Sequence, residues 1–186
     1  ASSAEVRSSL PGLAALAGGI GDPQVRNRGT IGGSIANNDP AADYPAAIVG
    51  LGATVKTNTR EIAGDDFFTG LFETALAEGE LVTSVSFPAA TKSGYAKFAN
   101  QASRFALVGV FVGQTSDGVR VAVTGAGASV FRVTAMEAAL TDNWSAAALD
   151  GIAVSADGLN TDIHAAADYR AHLVTVMAKR AVEAYG

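Results

Sequence analysis

Short apolar runs with helical spacing, broken by glycine and proline, fill the first quarter of the chain. Ser2-x-x-Glu5 has the spacing of a helix capping box, and Pro11 fits the first turn of a second short helix. A cluster of glycines ends that helix, and Asp22-Pro23 then turns the chain into a predicted strand around Val25. These elements are expected to be scaffold.

Between residues 43 and 88 the pattern predicts one helix followed by short strands. Asp43 and Pro45 mark the start of the helix. Alternation over residues 53–58 predicts a strand that pairs back with residues 61–63, and residues 81–87 predict another strand that Pro88 ends.

Beyond residue 94 the pattern changes to longer strand-like runs and then to helical spacing. Strands are predicted at residues 95–102, 107–114 and 119–124, with Asp117-Gly118 as a hairpin turn. Helices are predicted at residues 134–140, 145–149 and 168–185, the last with a core-facing stripe of Tyr169, Leu173, Val176 and Met177.

Runs of antiparallel strands with helices segregated beside them are typical of an α+β fold. We expect two units. Residues 1–88 form a mixed or antiparallel sheet with helices, and residues 89–186 form an α+β unit with a three-stranded antiparallel meander and helices. The junction is predicted at residues 89–94.

Composition excludes several classes of function. The net charge is −5 with no basic cluster, so the footprint of a nucleic-acid-binding protein is missing. No apolar run approaches the ~20 residues of a membrane span, and the start lacks a signal-peptide pattern, which predicts a cytoplasmic protein. With no Cys, the chain offers no thiolate for an iron–sulfur cluster or zinc.

Residues 24–44, QVRNRGTIGGSIANNDPAADY, have the composition of a ligand-binding loop. Gly29, Gly32 and Gly33 permit positive φ and close approach of a ligand, and the short polar side chains between them donate and accept hydrogen bonds. The segment contains neither the GK[ST] of a P-loop nor the G-x-G-x-x-G of a Rossmann turn. From the residues alone, an ordinary glycine-rich turn remains the alternative.

Asp43 has two possible roles at this stage, since its carboxylate can cap the following helix or accept a hydrogen bond from a ligand. His164 and His172 lack the partners that nucleophilic catalysis or metal binding requires. We therefore expect neither a catalytic residue nor a metal site.

The run PQVRNRGTIGGSIANNDPAAD at residues 23–43 resembles the second FAD-contacting loop in the medium, flavin-carrying subunit of molybdenum hydroxylases, the group that contains carbon monoxide dehydrogenase and xanthine dehydrogenase. FANQASRFALVGVFV at residues 98–112 is similar to a strand and turn of that family. DYRAHLVTVMAKRAV at residues 168–182 is similar to its closing helix.

The resemblance implies an FAD site in which the TIGG turn lies against the diphosphate and flavin, Asp43 holds a ribose hydroxyl, and Val82 packs on the flavin. Where some relatives carry a Lys near the flavin, this chain has Asn100, and Lys97 lies three residues earlier. The cofactor contacts implied in this way are Thr30, Ile31, Gly32, Gly33, Ser34, Asn37, Asp39, Asp43, Val82 and Asn100.

The resemblance also implies an electron-transfer function with two partners, a molybdenum-containing large subunit and a small subunit with [2Fe–2S] clusters. A preceding subdomain of the family, which grips the FAD pyrophosphate, has no counterpart in these residues, so we expect weak or absent FAD in this fragment. The alternatives are a single-chain FAD-dependent oxidase of related architecture and a non-catalytic interaction subunit that has lost FAD.

Overall fold

Five short helices form the first part of the chain in a computed structural model that describes residues 1–184. They are α1 (Ala4–Ser9), α2 (Pro11–Gly18), α3 (Pro23–Arg28), α4 (Ile31–Asn37) and α5 (Tyr44–Gly50). The cap of α1 is Ser3 rather than Ser2. The strand predicted around Val25 is wrong, because Asp22 caps helix α3 by accepting the Val25 N–H at 3.0 Å and Pro23 presets its first turn.

Small sheets follow these helices. Strands β1 (Thr54–Thr57), β2 (Glu61–Ala63) and β5 (Val82–Ser86) form an antiparallel sheet in the order β2-β1-β5. The three strands and the pairing of β1 with β2 were predicted, whereas the pairing of β1 with β5 was not. A helical turn, α6 (Gly64–Phe67), and a hairpin of β3 (Phe68–Gly70) and β4 (Glu73–Thr74) separate β2 from β5.

A four-stranded antiparallel sheet dominates the second part. Its strands are β6 (Ala90–Ala99), β7 (Ala106–Thr115), β8 (Gly118–Thr124) and β9 (Phe131–Arg132), in sequential order. Helix α7 (Thr134–Asp142), a 3₁₀ turn (Ala146–Leu149) and helix α8 (Ala167–Glu183) complete the described chain. The predicted meander is therefore present, with a fourth short strand that the sequence did not indicate. Residue 185, the predicted end of the last helix, lies outside the described residues.

Helices cover both faces of this sheet. Val110 packs with Val174 and Met177 of α8 on one face, whereas Phe111 packs with residues of α2 and α5 on the other. Because both faces are buried, β7 is apolar almost throughout instead of alternating. The predicted stripe on α8 is wrong at Tyr169, which is 45% exposed and makes an edge-to-face contact with Phe98.

The first part of the chain packs directly on the second. Residues 90–94, within the predicted junction, belong to strand β6. The Gly12 N–H donates to Ser93 Oγ at 3.1 Å, and Arg120 Nη1 lies 2.8 Å from both carboxylate oxygens of Asp65. Arg120 Nη1 also donates to the Val49 carbonyl oxygen of α5 at 3.2 Å. The sheet therefore lies directly behind helices α2 and α5, although the division into units at residue 88 stays a prediction.

Candidate functional site

An open cleft of about 480 Å³ lies among helices α2, α3 and α4 and the start of α5. Its size is within the range of small-molecule and cofactor pockets, about 300–1,000 Å³. Six of the ten cofactor contacts implied by the sequence line it: Thr30, Gly33, Ser34, Asn37, Asp39 and Asp43.

The predicted TIGG turn is the first turn of helix α4. Thr30 has extended backbone and caps the helix by accepting the Gly33 N–H on its hydroxyl oxygen at 3.0 Å. Gly29, Gly32 and Gly33 permit positive φ, but none of them adopts it: Gly29 is the extended residue that ends α3, and Gly32 and Gly33 have helical backbone in α4. The left-handed residue of this segment is Asn38, with φ 43°, where α4 ends.

The two adjacent glycines of α4 face different surroundings. A Cβ on Gly32 would lie 3.6 Å from Val82 Cγ1, in ordinary van der Waals contact with strand β5. Gly33 lines the cleft, and a Cβ there would meet only the Thr30 hydroxyl oxygen, at 3.1 Å. The absence of a side chain at Gly33 therefore leaves the backbone accessible from the cleft.

Asp43 is buried at the start of α5, and its carboxylate caps nothing. Its Oδ1 accepts the Tyr95 hydroxyl at 2.5 Å and lies 2.9 Å from Lys97 Nζ, and its Oδ2 accepts from the same Nζ at 3.1 Å. Of the two roles that the sequence left open, side-chain capping is thus wrong, because strand β6 supplies the partners instead. Tyr95 was not predicted at this site, and Lys97 was noted only for its position three residues before Asn100, because both lie more than fifty residues after Asp43.

Burial raises the pKa of Asp43, while the Lys97 charge and the Tyr95 hydrogen bond act to lower it. Burial and the neighbouring Asp43 charge hold the pKa of Tyr95 well above its usual value. The cleft therefore has a desolvated carboxylate in its wall whose ionisation depends on one ammonium group and one phenol.

The remaining implied contacts do not line this cleft. Ile31 and Val82 pack in the apolar cluster around Ile35 and Phe67. Asn100 lines a separate pocket of about 270 Å³, and its Oδ1 accepts from the Ala102 and Ser103 N–H groups at 2.9 and 3.1 Å. The side chain of Asn100 thus holds the turn after β6.

The cleft has the groups to hold an anionic ligand that also carries hydroxyl groups. Arg26 and Arg28 line one side, and Ser34 and Asn37 offer side-chain donors and acceptors. Asp39 is partly engaged, since its Oδ1 accepts the Ala41 N–H at 2.8 Å. A dinucleotide such as FAD, with its diphosphate and ribose hydroxyls, fits this set of side chains.

Within residues 1–184 no three His, Asp or Glu side chains come together as metal ligands. The same residues include no helix that is both long and apolar enough to span a membrane.

Two family profiles together match nearly the whole chain. The profile described as the FAD binding domain in molybdopterin dehydrogenase matches residues 1–90, and that of the CO dehydrogenase flavoprotein C-terminal domain matches residues 93–185.

Curated relatives agree with these matches. The nicotine 6-hydroxylase medium subunit of Paenarthrobacter nicotinovorans is 35% identical over 95% of this chain and 68% of its own length. The carbon monoxide dehydrogenase medium chain of Hydrogenophaga pseudoflava is 33% identical over 98% of this chain and 69% of its own length.

Solved structures match the fold over almost all of this chain. Carbon monoxide dehydrogenase from Hydrogenophaga pseudoflava superposes with a TM-score of 0.84 at 34% identity, over 99% of this chain and 70% of that one. Reconstituted CO dehydrogenase from Oligotropha carboxidovorans gives a TM-score of 0.89 at 28% identity, over 98% of this chain and 70% of that one.

The fold, the cleft and these matches are those of a flavoprotein subunit of an oxidoreductase, and the predicted α+β architecture is confirmed. The chain belongs to the FAD-binding medium subunits of the molybdenum hydroxylase family.

Proposed function

We propose that this chain holds FAD in the cleft among α2–α5 and serves as the electron relay of a multi-subunit molybdenum hydroxylase. When bound, FAD supplies electron transfer from iron–sulfur clusters to an external acceptor, while the protein supplies binding, orientation and electrostatics. The observation that carries the proposal is the convergence of Thr30, Gly33, Ser34, Asn37 and Asp43 on one cleft in a chain of the FAD-binding family.

Each group in the cleft has a role that this ligand requires. The open backbone at Gly33 admits a flat or extended ligand close to α4. The charges of Arg26 and Arg28 favour an anionic diphosphate, and the buried carboxylate of Asp43 can accept from a ribose hydroxyl.

The partners follow from what the chain lacks and from its relatives. With no Cys, it offers no thiolate for an iron–sulfur cluster. The relatives are named as medium subunits or medium chains of hydroxylases and dehydrogenases. We therefore assign it a molybdenum-containing large subunit and a [2Fe–2S] small subunit as partners, in a cytoplasmic complex.

The proposal is tested by affinity purification of the complete subunit from its native host. We expect recovery of a molybdenum-bearing chain and a Cys-rich iron–sulfur chain, together with a flavin absorbance spectrum that bleaches on addition of the substrate of the complex. The matched control is Gly33→Val, which should retain both partners but lose the flavin bands. Recovery of this chain alone, with its own FAD and its own substrate turnover, would favour the single-chain oxidase.

A further inference from the structure

Asp43 lines the cleft and is also hydrogen-bonded to the large sheet. It lines the cleft from the start of α5, whereas both of its side-chain partners, Tyr95 and Lys97, belong to strand β6. The Lys97 side chain is 11% exposed and that of Asp43 is 3% exposed, so the ion pair is largely removed from water.

The carboxylate keeps acceptor capacity towards the cleft. Two oxygens provide about four lone-pair sites. Tyr95 and the bridging Nζ of Lys97 occupy about three of them, and a backbone hydrogen bond within Asp43 itself makes the smallest contribution to lowering the pKa of this carboxyl. An ionised Asp43 therefore retains a site for one ligand hydroxyl, whereas a protonated Asp43 would carry a hydrogen on one oxygen and accept less well.

The charge state of Asp43 depends on few neighbours. Strand β6 contributes Lys97 and Tyr95, and α5 contributes Tyr44, which titrates far above neutral pH because burial and the Asp43 charge raise its pKa. Across the cleft, Asp39, Arg26 and Arg28 are the other charged side chains that line it. Lys97 is the cation in direct contact with the carboxylate.

We propose that Lys97 is a positioning residue for the cofactor, which fixes the Asp43 carboxylate in its ionised form so that it accepts a ligand hydroxyl. This inference rests on the proposed function. The inference adds strand β6 of the large sheet to the cofactor site, although no residue of β6 lines the cleft itself. The residue that makes this link is Lys97, three positions before Asn100.

The experiment measures FAD affinity by flavin fluorescence between pH 6 and pH 8 for the complete subunit after removal of its flavin. Lys97→Met keeps a long side chain without the charge, and Lys97→Arg retains the charge. For the wild type and Lys97→Arg, we expect the dissociation constant to vary less than about two-fold over this range. For Lys97→Met, it should be about ten-fold higher at pH 6 than at pH 8, because a protonated Asp43 loses a charge-assisted hydrogen bond.

A flat profile for Lys97→Met, whether at wild-type affinity or uniformly weaker, would overturn the inference and leave Lys97 with a structural role. Should Lys97→Met fail to fold, Tyr95→Phe removes one hydrogen bond to Asp43 and keeps the ring. Its affinity should fall towards pH 6 by about two- to five-fold, and a flat profile would overturn the inference equally. A wild-type subunit that binds no FAD at any pH would refute the proposed function, and this inference with it.

Discussion

Lys97 Nζ lies 2.9 Å from Oδ1 and 3.1 Å from Oδ2 of Asp43, so one ammonium group bridges both oxygens of a buried carboxylate. This pair joins strand β6 of the large sheet to the start of α5 at the edge of the cleft. It makes the stability of the fold sensitive to the ionisation of a residue at the candidate cofactor site.

Lys97→Met should destabilise the protein by about 3–5 kcal/mol at neutral pH, because it leaves a buried carboxylate without its cation. Burial already raises the pKa of Asp43, and removal of Lys97 raises it further. A raised carboxyl pKa means that ionisation of Asp43 costs stability in full above that pKa. This cost shrinks as the pH falls from the folded-state pKa towards the lower pKa of the unfolded chain.

The difference in unfolding free energy between wild type and Lys97→Met should therefore shrink as the pH is lowered from 7 towards 4. Urea denaturation at several pH values measures this difference, and Lys97→Arg is the matched control. A difference that stays constant over this range would contradict the assignment of the effect to Asp43.

Gly33→Val should remove flavin from the complete subunit with little effect on its melting temperature. The side chain would project into the cleft, whereas φ at Gly33 is not positive and the nearest atom to a new Cβ is the Thr30 hydroxyl oxygen. We expect a stability change within about 1 kcal/mol, the size of a weakened helix cap.

The control for that variant is Gly32→Ala, whose Cβ would make an ordinary contact with Val82. It should keep the flavin. Melting curves recorded beside flavin absorbance spectra test both variants, and a Gly33→Val protein that stays yellow would show that this glycine does not face the cofactor.

Gly94→Ala should be strongly destabilising, by about 3 kcal/mol, because overpacking forces the backbone apart. A Cβ at Gly94 would lie 1.9 Å from the carbonyl oxygen of Ala181, so strand β6 and helix α8 touch through their backbones. Gly18→Ala, in α2, should instead be neutral or stabilising by up to about 1 kcal/mol, since the nearest atom to its Cβ is 3.9 Å away. Urea denaturation compares the two, and equal stabilities would refute the close approach of α8.

Residues 1–186 on their own should be folded and largely free of FAD. The chain spans about two thirds of the relatives' length, and the resemblance described above implies that a further subdomain grips the pyrophosphate. If that subdomain supplies three hydrogen bonds of about 1.5 kcal/mol each, affinity falls by roughly three powers of ten without it. Absorbance after gel filtration measures the bound flavin, with the complete subunit as control, and stoichiometric FAD would contradict the prediction.

The sequence by itself determined the local structure of most of the strands and of the first and last helices, but it predicted a loop where helix α4 lies. Alternation over residues 53–58 and the polar turn after them predicted β1 and its pairing with β2, and Asp117-Gly118 predicted the hairpin between β7 and β8. Side-chain periodicity and turn chemistry are properties of neighbouring residues, so a sequence can show them. The wrong prediction of a strand around Val25 also concerned local signals. Asp22 and Pro23 are good signals for a helix start, but they were interpreted as a turn into a strand.

The motif at residues 24–44 determined where the candidate site would be, and six of its predicted contacts line the cleft. It did not determine which way each residue faces. Gly32 and Gly33 are adjacent and of the same type, yet one packs on Val82 and the other on the cleft, because the direction of a helical residue depends on how the whole helix is docked.

Only the tertiary structure decided what surrounds Asp43. Its position before Pro45 equally suits a helix cap, and that local role is available to any Asp at a helix start. The pairing of β6 with β7 and the packing of this sheet behind α5 bring Tyr95 and Lys97 to the carboxylate. Contacts between residues so far apart in sequence depend on the packing of whole elements, which no periodicity in either segment encodes.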